Sequence, residues 1–168
     1  HASVLLQLDG NIILTDPVFS RRASPLPFLG PQRKTPPVLS VEQLHQLDAV
    51  VISHNHYDHL DDATIRRILK RFPDVCCFVP LGLADWFRRR GAKRVVELDW
   101  WQSFTWQGMT LTAVPAQHWS MRTPWNRNSS LRCGWVMEGR HHRFWFSGDT
   151  GYSPELLLIP ERLGQIDA

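Results

Sequence analysis

The sequence predicts an α/β domain, and three observations support this fold class. Residues 49–99 alternate strand, helix, strand, helix and strand, which is the pattern of α/β proteins. Residues 1–19 and 102–149 contain apolar runs separated by glycine-containing turns, so both ends are expected to be rich in strands. A chain of 168 residues without an internal repeat is long enough for one core, and we expect a single domain over residues 1–168.

The chain begins with a predicted β-hairpin, followed by a long loop. The apolar runs "SVLLQL" and "NIILTDPVF" flank the turn dipeptide Asp9-Gly10. Residues 20–37 contain five prolines and no periodicity, which predicts a loop of a length that is commonly functional in compact domains. "SVEQLHQL" then predicts a short helix, because Ser40 and Gln43 have the spacing of a capping box.

An apolar strand, "DAVVISH", opens the central alternation, and its composition indicates a sheet that is covered on both faces. The segment after it predicts an amphipathic helix, because Ile65, Ile68, Leu69 and Phe72 follow the spacing i, i+3, i+4, i+7. The alternation continues with the strand "VCCFVP", the helix "LGLADWFRRRG" and the strand "KRVVELD".

The second half of the chain is predicted to consist of strands. They are "QSFTWQG", "MTLTAVPAQH", "LRCGWVMEG" and "HRFWFSGDTG", the first two joined at Gly108. The chain starts on a strand-like run without an initiator Met, and "LGQIDA" ends where another apolar strand is expected to begin. We therefore expect a segment of a longer protein that is incomplete at both ends.

Composition excludes disorder and an α-helical membrane span. Hydrophobic residues make up 43% of the chain and charged residues 21%, and no apolar run approaches the ~20 residues needed to cross a bilayer. The cysteines of "VCCFVP" are expected to be buried small hydrophobes in a reducing compartment. The net charge is +3, with basic residues clustered in "IRRILKRF" and "WFRRRGAKR". These runs are either solvated helix faces or a surface for phosphates or anionic lipid headgroups.

The most informative segment is "SHNHYDHLD", residues 53–61, directly after the apolar strand. In an extended chain His54 and His56 point to the same side, and Asp58 and His59 come on the following turn. Imidazole nitrogens and carboxylate oxygens are ligands for zinc-like divalent metals. Because burying four such groups without a metal would cost several kcal/mol, the segment predicts a metal site. His118 in "VPAQHW" and Asp149 in "FWFSGDTG" add donors at two further strand ends.

His-x-His-x-Asp-His after an apolar strand, a distant His and a later Gly-Asp together resemble the metallo-β-lactamase superfamily. The resemblance implies an αββα sandwich, here truncated, with a two-metal site at one edge. It assigns His54, His56 and His118 to one metal and Asp58 and His59 to the other, with Asp149 bridging both. It also implies a last His ligand on a later strand. No histidine follows Asp149, and we expect that ligand beyond Ala168. Asp16 in "LTDPVF" is either a carboxylate that supports a metal-bound His or a plain turn residue.

A narrower resemblance is to the N-acyl-phosphatidylethanolamine-hydrolysing phospholipase D group. It rests on "LTDPVFSRRASPLPFLGP", "DAVVISHNHYDHLD", "FVPLGLADWF", "VVELDWW", "QHWSMRT" and "FSGDTGY". The resemblance implies a hydrolase with two Zn²⁺ ions that cleaves the phosphodiester bond of an N-acylated phospholipid, giving an N-acylethanolamine and phosphatidic acid. Asp149 would then hold the two metals, and Asp58 would orient the attacking water or take up a proton.

Aromatic residues near the predicted strand ends suit a lipid substrate. Trp100, Trp101, Trp119 and Trp125 are candidates for substrate contact, because Trp is favoured at membrane–water interfaces. The loop 20–37 would be a lid or part of an acyl groove. We expect a cytoplasmic protein or one peripheral on the cytoplasmic face of a membrane, without a nucleic-acid partner. The alternatives are a lactonase or phosphodiesterase for a small soluble substrate, or a catalytically silent metal-binding module.

Overall fold

The chain folds into four layers, in the order helices, sheet, sheet and helix. The computed structural model describes residues 3–26, 28–123 and 125–168. A five-stranded sheet and a four-stranded sheet face each other, and helices cover the outer face of each sheet. This is the αββα sandwich, and the predicted fold class is confirmed. No helix within the described ranges is both long and apolar enough to span a lipid bilayer.

The first sheet has its strands in sequence order, β1 to β5. Strands β1 and β2 form the predicted hairpin, whose turn residues Asp9 and Gly10 both have positive φ angles, 49° and 84°. The pairs β2–β3, β3–β4 and β4–β5 are parallel, so the carboxyl ends of these strands meet at one edge. The bounds are β1 Val4–Leu8, β2 Asn11–Thr15, β3 Ala49–Val51, β4 Cys76–Pro80 and β5 Arg94–Leu98.

The second sheet is an antiparallel meander of β6 to β9. Its first turn contains Gln107 and Gly108 with φ angles of 49° and 80°, as expected for a tight hairpin. The bounds are β6 Ser103–Trp106, β7 Met109–Pro115, β8 Cys133–Glu138 and β9 Arg143–Phe146. The last residues of the chain lie along β9, where the Trp145 N–H donates to the Ala168 carbonyl over 2.8 Å.

Helix α1, Asp62–Arg71, and helix α2, Ala84–Arg88, lie on the first sheet, and helix α3, Leu158–Leu163, lies on the second. The sequence predicted only strands in the second half of the chain, and helix α3 shows that this expectation was wrong for residues 158–163. Its buried face is short, and the 3₁₀ turn Pro154–Leu157 precedes it, so the segment lacks a long helical period. "SVEQLHQL" forms only a 3₁₀ turn, Val41–Gln43, although its capping box is present.

Two apolar layers lie on opposite sides of the first sheet. Strand β3 shows how its residues alternate between them: Val50 packs toward the helices, whereas Ala49 and Val51 pack toward the second sheet. Between the sheets, Trp135 is fully buried, and its indole N–H donates to the Ile52 carbonyl over 2.8 Å. This bond ties β8 to the segment in which the histidine cluster begins.

The basic helices and the cysteines have structural explanations. Several of the helix cations lie against acidic side chains, for example Arg66 against Asp62 and Arg67 against Glu42. These ion pairs favour the interpretation of the basic runs as solvated helix faces over that of a surface for phosphates or lipid headgroups. All three cysteines are buried and unbridged, and burial raises the pKa of each thiol, so they serve as small core residues.

Candidate metal centre

The histidine cluster lies at the carboxyl edge of the first sheet, next to the start of β8. The Cys133 N–H donates to the Ser53 carbonyl over 3.0 Å, which holds the cluster against the second sheet. The second sheet also supplies His118, after β7, and Asp149, after β9. The site is therefore built where two sheets meet, from segments far apart in the sequence.

Three imidazoles converge on one point. His54 Nε2 lies 2.9 Å from His56 Nδ1, and His118 Nε2 lies 3.2 Å from the same His56 nitrogen. Two ring nitrogens can share one hydrogen bond, but one proton cannot satisfy three nitrogens. In a tetrahedral zinc site, nitrogens at the usual bond length lie about 3.3 Å apart, close to these separations. The three histidines therefore form a candidate metal-binding group.

The protonation states of these histidines suit metal binding. Burial lowers the pKa of His54 to about 2, and the neighbouring imidazoles add to this effect. Burial likewise lowers the pKa values of His56 and His118. All three rings are therefore neutral near pH 7 and have lone pairs available for a cation.

A second candidate group consists of Asp58, His59 and Asp149. His59 Nε2 lies 3.2 Å from Asp149 Oδ2 and 3.9 Å from Asp58 Oδ2. The same Asp149 oxygen lies 3.9 Å from His118 Nε2, in the first group. Asp149 thus stands between the two groups, which is the position that a bridging carboxylate requires. The chemistry and spacing of both donor sets fit divalent cations.

Asp16 orients two of the imidazoles and is not merely a turn residue. Its carboxylate is fully buried and accepts hydrogen bonds from the Ser53 N–H (2.7 Å), the Ser53 hydroxyl (2.5 Å) and His59 Nδ1 (2.7 Å). Because the Ser53 hydroxyl donates to Asp16, its oxygen accepts from His54 Nδ1, 2.9 Å away. Both histidines then carry their proton on Nδ1 and present the Nε2 lone pair to the centre. The backbone of Asp16 is left-handed, with a φ of 36°, a conformation found at functional sites.

Close backbone packing brings Asp149 to the centre. Gly148 has a φ of +59°, and a Cβ at this position would lie 2.5 Å from the Ser53 Cβ. Only glycine lets the segment approach Ser53 so closely. On the other side, the Gly151 N–H donates to the Gln117 carbonyl over 2.9 Å, which joins the segments carrying Asp149 and His118.

A cavity of about 780 Å³ opens beside the two groups, and His56 and Asp58 form part of its wall. The long loop supplies another part of the wall. That loop is a short irregular hairpin, in which the Ala23 N–H donates to the Pro31 carbonyl and the Arg33 N–H to the Arg21 carbonyl. The cavity is lined by Val18, Ser20, Arg21, Ala23, Pro31, Gln32, Arg33, Lys34, Thr35, Tyr57, Trp119, Met121 and Arg122 in addition to these two ligand candidates.

The four tryptophans proposed for substrate contact lie in different environments. Trp119 lines the cavity and is 41% exposed, whereas Trp125 is 91% exposed and does not line it. For Trp100 and Trp101 the expectation is corrected. The Trp100 indole packs against the core between the sheets and donates to the Arg132 carbonyl over 2.8 Å. Trp101 packs against the cluster under α3, because the apolar surface of that helix must be covered.

Several cavity residues were not found by sequence reasoning. Arg21 and Lys34 bring positive charge to its rim, and neither side chain has a hydrogen bond or ion pair to another described residue. Arg122 and Met121 follow Trp119 on the same segment. Isolated cations in irregular segments have no periodic signature, so only their proximity to a recognised ligand could have suggested them. Asp61 caps α1 by accepting from the Ala63 N–H.

Comparison with known proteins adds independent findings. The chain is 42% identical over 177 residues to N-acyl-phosphatidylethanolamine-hydrolyzing phospholipase D 1 of Caenorhabditis elegans, covering 99% of this chain and 50% of that protein. It is 43% identical over 171 residues to an uncharacterized protein of Mycobacterium tuberculosis, covering 99% of this chain and 45% of the relative. The chain thus spans about half the length of the curated relatives it matches.

Among solved structures, the diiron β-hydroxylase CmlA of Streptomyces venezuelae superposes with a TM-score of 0.74 at 26% identity, covering 99% of this chain and 32% of that one. That protein is diiron, so the fold by itself does not select zinc. Residues 11–168 match the family described as the beta-lactamase superfamily domain. The match, the αββα layers and the two donor groups agree, and the chain belongs to the metallo-β-lactamase superfamily.

Proposed function

We propose that this chain provides the metal centre of a hydrolase that cleaves the phosphodiester bond of an N-acylated phospholipid, in the manner of a phospholipase D. The observation that carries the proposal is the cavity, which His56 and Asp58 line together with cations and apolar side chains. The identity of 42% to the phospholipase D of Caenorhabditis elegans, over nearly the whole chain, supports this choice of substrate.

The donor sets suit two zinc ions. His54, His56 and His118 would hold one ion, Asp58 and His59 would contribute to the other, and Asp149 would bridge them. Two divalent ions supply Lewis acidity, which makes hydroxide available near neutral pH and neutralises charge on the phosphate oxygens. Asp16 and Ser53 keep the imidazoles in the required tautomer.

Asp58 has a further role as the protein group that meets the substrate. It belongs to the second donor group and also lines the cavity. Its carboxylate can therefore orient the attacking water toward the phosphorus, or accept a proton from it. A bound metal would engage the lone pairs of this carboxylate, so orientation of the water would be the larger part of its contribution.

The cavity has chemistry for both ends of a lipid phosphodiester. Arg21 and Lys34 place positive charge on the loop side, where it can attract the phosphate. Val18, Pro31 and Met121 offer apolar surface for hydrocarbon. The cavity volume of about 780 Å³ lies within the range of small-molecule sites. The cavity would therefore enclose the lipid headgroup and the first part of the acyl chains.

The long loop also suits peripheral contact with a membrane. Its tip, residues 24–26 and 28–30, lies just beyond the two cavity-lining residues Ala23 and Pro31. Phe28 and Leu29 on this tip are 74% and 60% exposed, which is unusual for large apolar side chains unless they meet another surface. Insertion of this tip among lipid headgroups would bring the cavity to its substrate.

The deciding experiment compares substrates, using the zinc-loaded protein. Vesicles containing N-acyl-phosphatidylethanolamine, a soluble phosphodiester and a panel of lactones are incubated in parallel. Release of an N-acylethanolamine from the vesicles is the expected result. Turnover of lactones alone, or of the soluble diester alone, would replace the lipid proposal by that activity, and binding of zinc without any turnover would indicate a silent metal-binding module.

Matched variants locate the substrate contacts. Lys34→Gln is expected to raise KM for the lipid with little change in kcat, whereas Lys70→Gln, an exposed cation on α1, leaves both unchanged. Phe28→Asp is expected to weaken sedimentation with vesicles, and Leu157→Asp, which is 63% exposed beside α3, serves as the control. Equal effects within either pair would contradict the assignment of the cavity or of the membrane-facing tip.

A further inference from the structure

Arg122 lies on the segment that carries His118, and its side chain reaches the segment that carries the other histidines. Its Nη1 donates to the Asn55 carbonyl over 3.1 Å and to the Leu60 carbonyl over 2.6 Å. These carbonyls bracket the stretch that contains His56, Asp58 and His59. One guanidinium nitrogen therefore closes the ligand segment into a loop of fixed width.

The ligand segment holds Arg122 in return. The Tyr57 hydroxyl donates to the Arg122 carbonyl over 2.9 Å, and the guanidinium carbon lies 4.2 Å from the centre of the Tyr57 ring. The Arg122 N–H donates to Asn126 Oδ1 over 2.9 Å, which fixes the backbone at this point. Both the backbone and the side chain of Arg122 are therefore bound to the ligand segment.

This arrangement is an unusual environment for a cation. Burial lowers the pKa of the Arg122 guanidinium, and the ion pairs found among the described residues do not include it. Carbonyl oxygens and an aromatic face replace a carboxylate partner, which is a weaker compensation for lost hydration. A lysine could not reproduce the planar contact with Tyr57 while donating to two carbonyls in fixed directions.

We propose that Arg122 is a positioning residue for the metal centre: it clamps the ligand segment 54–60 and sets its distance from His118. Only three residues separate Arg122 from His118, so the clamp fixes both sides of the contact in which His118 Nε2 lies 3.2 Å from His56 Nδ1. The inference rests on the proposed metal centre but not on the identity of the substrate.

The test measures metal binding without any substrate. Cobalt replaces zinc, its affinity is measured by competition with a chelator, and its visible absorption spectrum reports the coordination geometry. Arg122→Met keeps the length of the side chain but removes every donor. We expect about a 10-fold loss of cobalt affinity, the lower end of what losing an orienting group costs, together with an altered spectrum. Arg122→Lys should recover part of the affinity.

Arg71→Met is the matched control. Arg71 also donates to a backbone carbonyl, that of Leu44, and its guanidinium carbon lies 5.5 Å from the centre of the Phe72 ring, on α1 and outside the site. Cobalt affinity and spectrum should stay at wild-type values in this variant. If both variants lose affinity equally, the effect is general destabilisation and the positioning role is wrong.

Two further outcomes complete the test. Wild-type cobalt affinity and spectrum in Arg122→Met, with a raised KM, would show that Arg122 contacts substrate instead and would overturn the proposal. If Arg122→Met does not fold, Arg122→Lys decides: an altered cobalt spectrum supports the clamp, and an unchanged one refutes it. Failure of the proposed function can be told apart from failure of the clamp. In that case the wild-type protein binds cobalt with full affinity but does not hydrolyse the lipid.

Discussion

Replacing Asp16 by Asn tests how the buried carboxylate supports the centre. Asp16 Oδ1 accepts from the Ser53 N–H, and Oδ2 accepts from both the Ser53 hydroxyl and His59 Nδ1. An amide has one oxygen and one NH₂ group. In one orientation the NH₂ meets two donors, and in the other it meets the Ser53 N–H, which cannot turn away. At least one hydrogen bond to the former carboxylate is lost in either case.

The expected losses of stability and of zinc affinity in Asp16→Asn follow from these contacts. A hydrogen bond to a charged group contributes about 1.5–3 kcal/mol, but Asn also removes the desolvation penalty of a buried carboxylate. We therefore expect the metal-free variant to lose less than about 3 kcal/mol of stability. Metal binding should suffer more directly, because His59 is no longer held with its Nε2 lone pair toward the centre. The expected loss of zinc affinity is about 10–100-fold, or about 1.4–2.7 kcal/mol.

Zinc affinity is measured by chelator competition, and stability by urea unfolding of the metal-free protein. Asp48→Asn is the control, because the Asp48 carboxylate accepts the Ile12 N–H over 2.8 Å in the same sheet, but outside both donor groups. Wild-type zinc affinity in Asp16→Asn would refute the reasoning. An equal loss of affinity in Asp48→Asn would attribute the effect to the sheet instead of the site.

Three further predictions concern the same edge of the molecule. Asp149→Asn should abolish hydrolysis and lower the bound zinc from two ions toward one, with an unchanged melting temperature of the metal-free protein; retained hydrolysis would contradict the bridging role. Burial lowers the pKa of His54 to about 2, below its ordinary value, so the unfolded chain binds the extra proton as the pH falls below about 6.5. Urea unfolding of the metal-free protein should then show stability falling between about pH 6.5 and about pH 5; His54 contributes up to about 1.4 kcal/mol per pH unit, His56 and His118 add in the same direction, and a flat profile would exclude this linkage. Gly148→Ala should cost about 2–5 kcal/mol, because a Cβ adds a clash with Ser53 to the strain of a left-handed residue. Gly108 is also left-handed, but a Cβ there would meet no atom within 4 Å, so Gly108→Ala should cost only about 1–2 kcal/mol. Urea unfolding compares the two variants, and equal losses of stability would rule out the clash.

Much of the architecture could be predicted because its signals are local. The turn dipeptide Asp9-Gly10 identifies the first hairpin, and the spacing of apolar residues identifies α1 with Asp61 as its cap. Helix α3 escaped prediction because it is six residues long and buries mainly Ile159. An amphipathic period needs more than two turns to stand out, so a short helix is stabilised by the sheet on which it packs.

Prediction at the site divides in the same way. The density of donors around His54 is enough to indicate a metal, and strand ends point to His118 and Asp149 as partners. The tryptophans show the limit: Trp100 and Trp119 have similar loop contexts in the sequence, yet one packs into the core and the other lines the cavity. Side-chain composition identifies both as suited to apolar surfaces, but not which surface each one meets.

The sequence by itself determined the α/β class, the hairpins and the identity of the candidate ligands, because periodicity, turn chemistry and ligand density depend on neighbouring residues. Only the tertiary structure decided that Asp16 orients two imidazoles and that Arg122 clamps the ligand segment. Asp16 lies 37 residues from Ser53 and Arg122 lies 67 residues from Asn55 along the chain, yet each pair is hydrogen-bonded. Such distances are set by how the two sheets pack around their shared core, and no local pattern in the sequence records them.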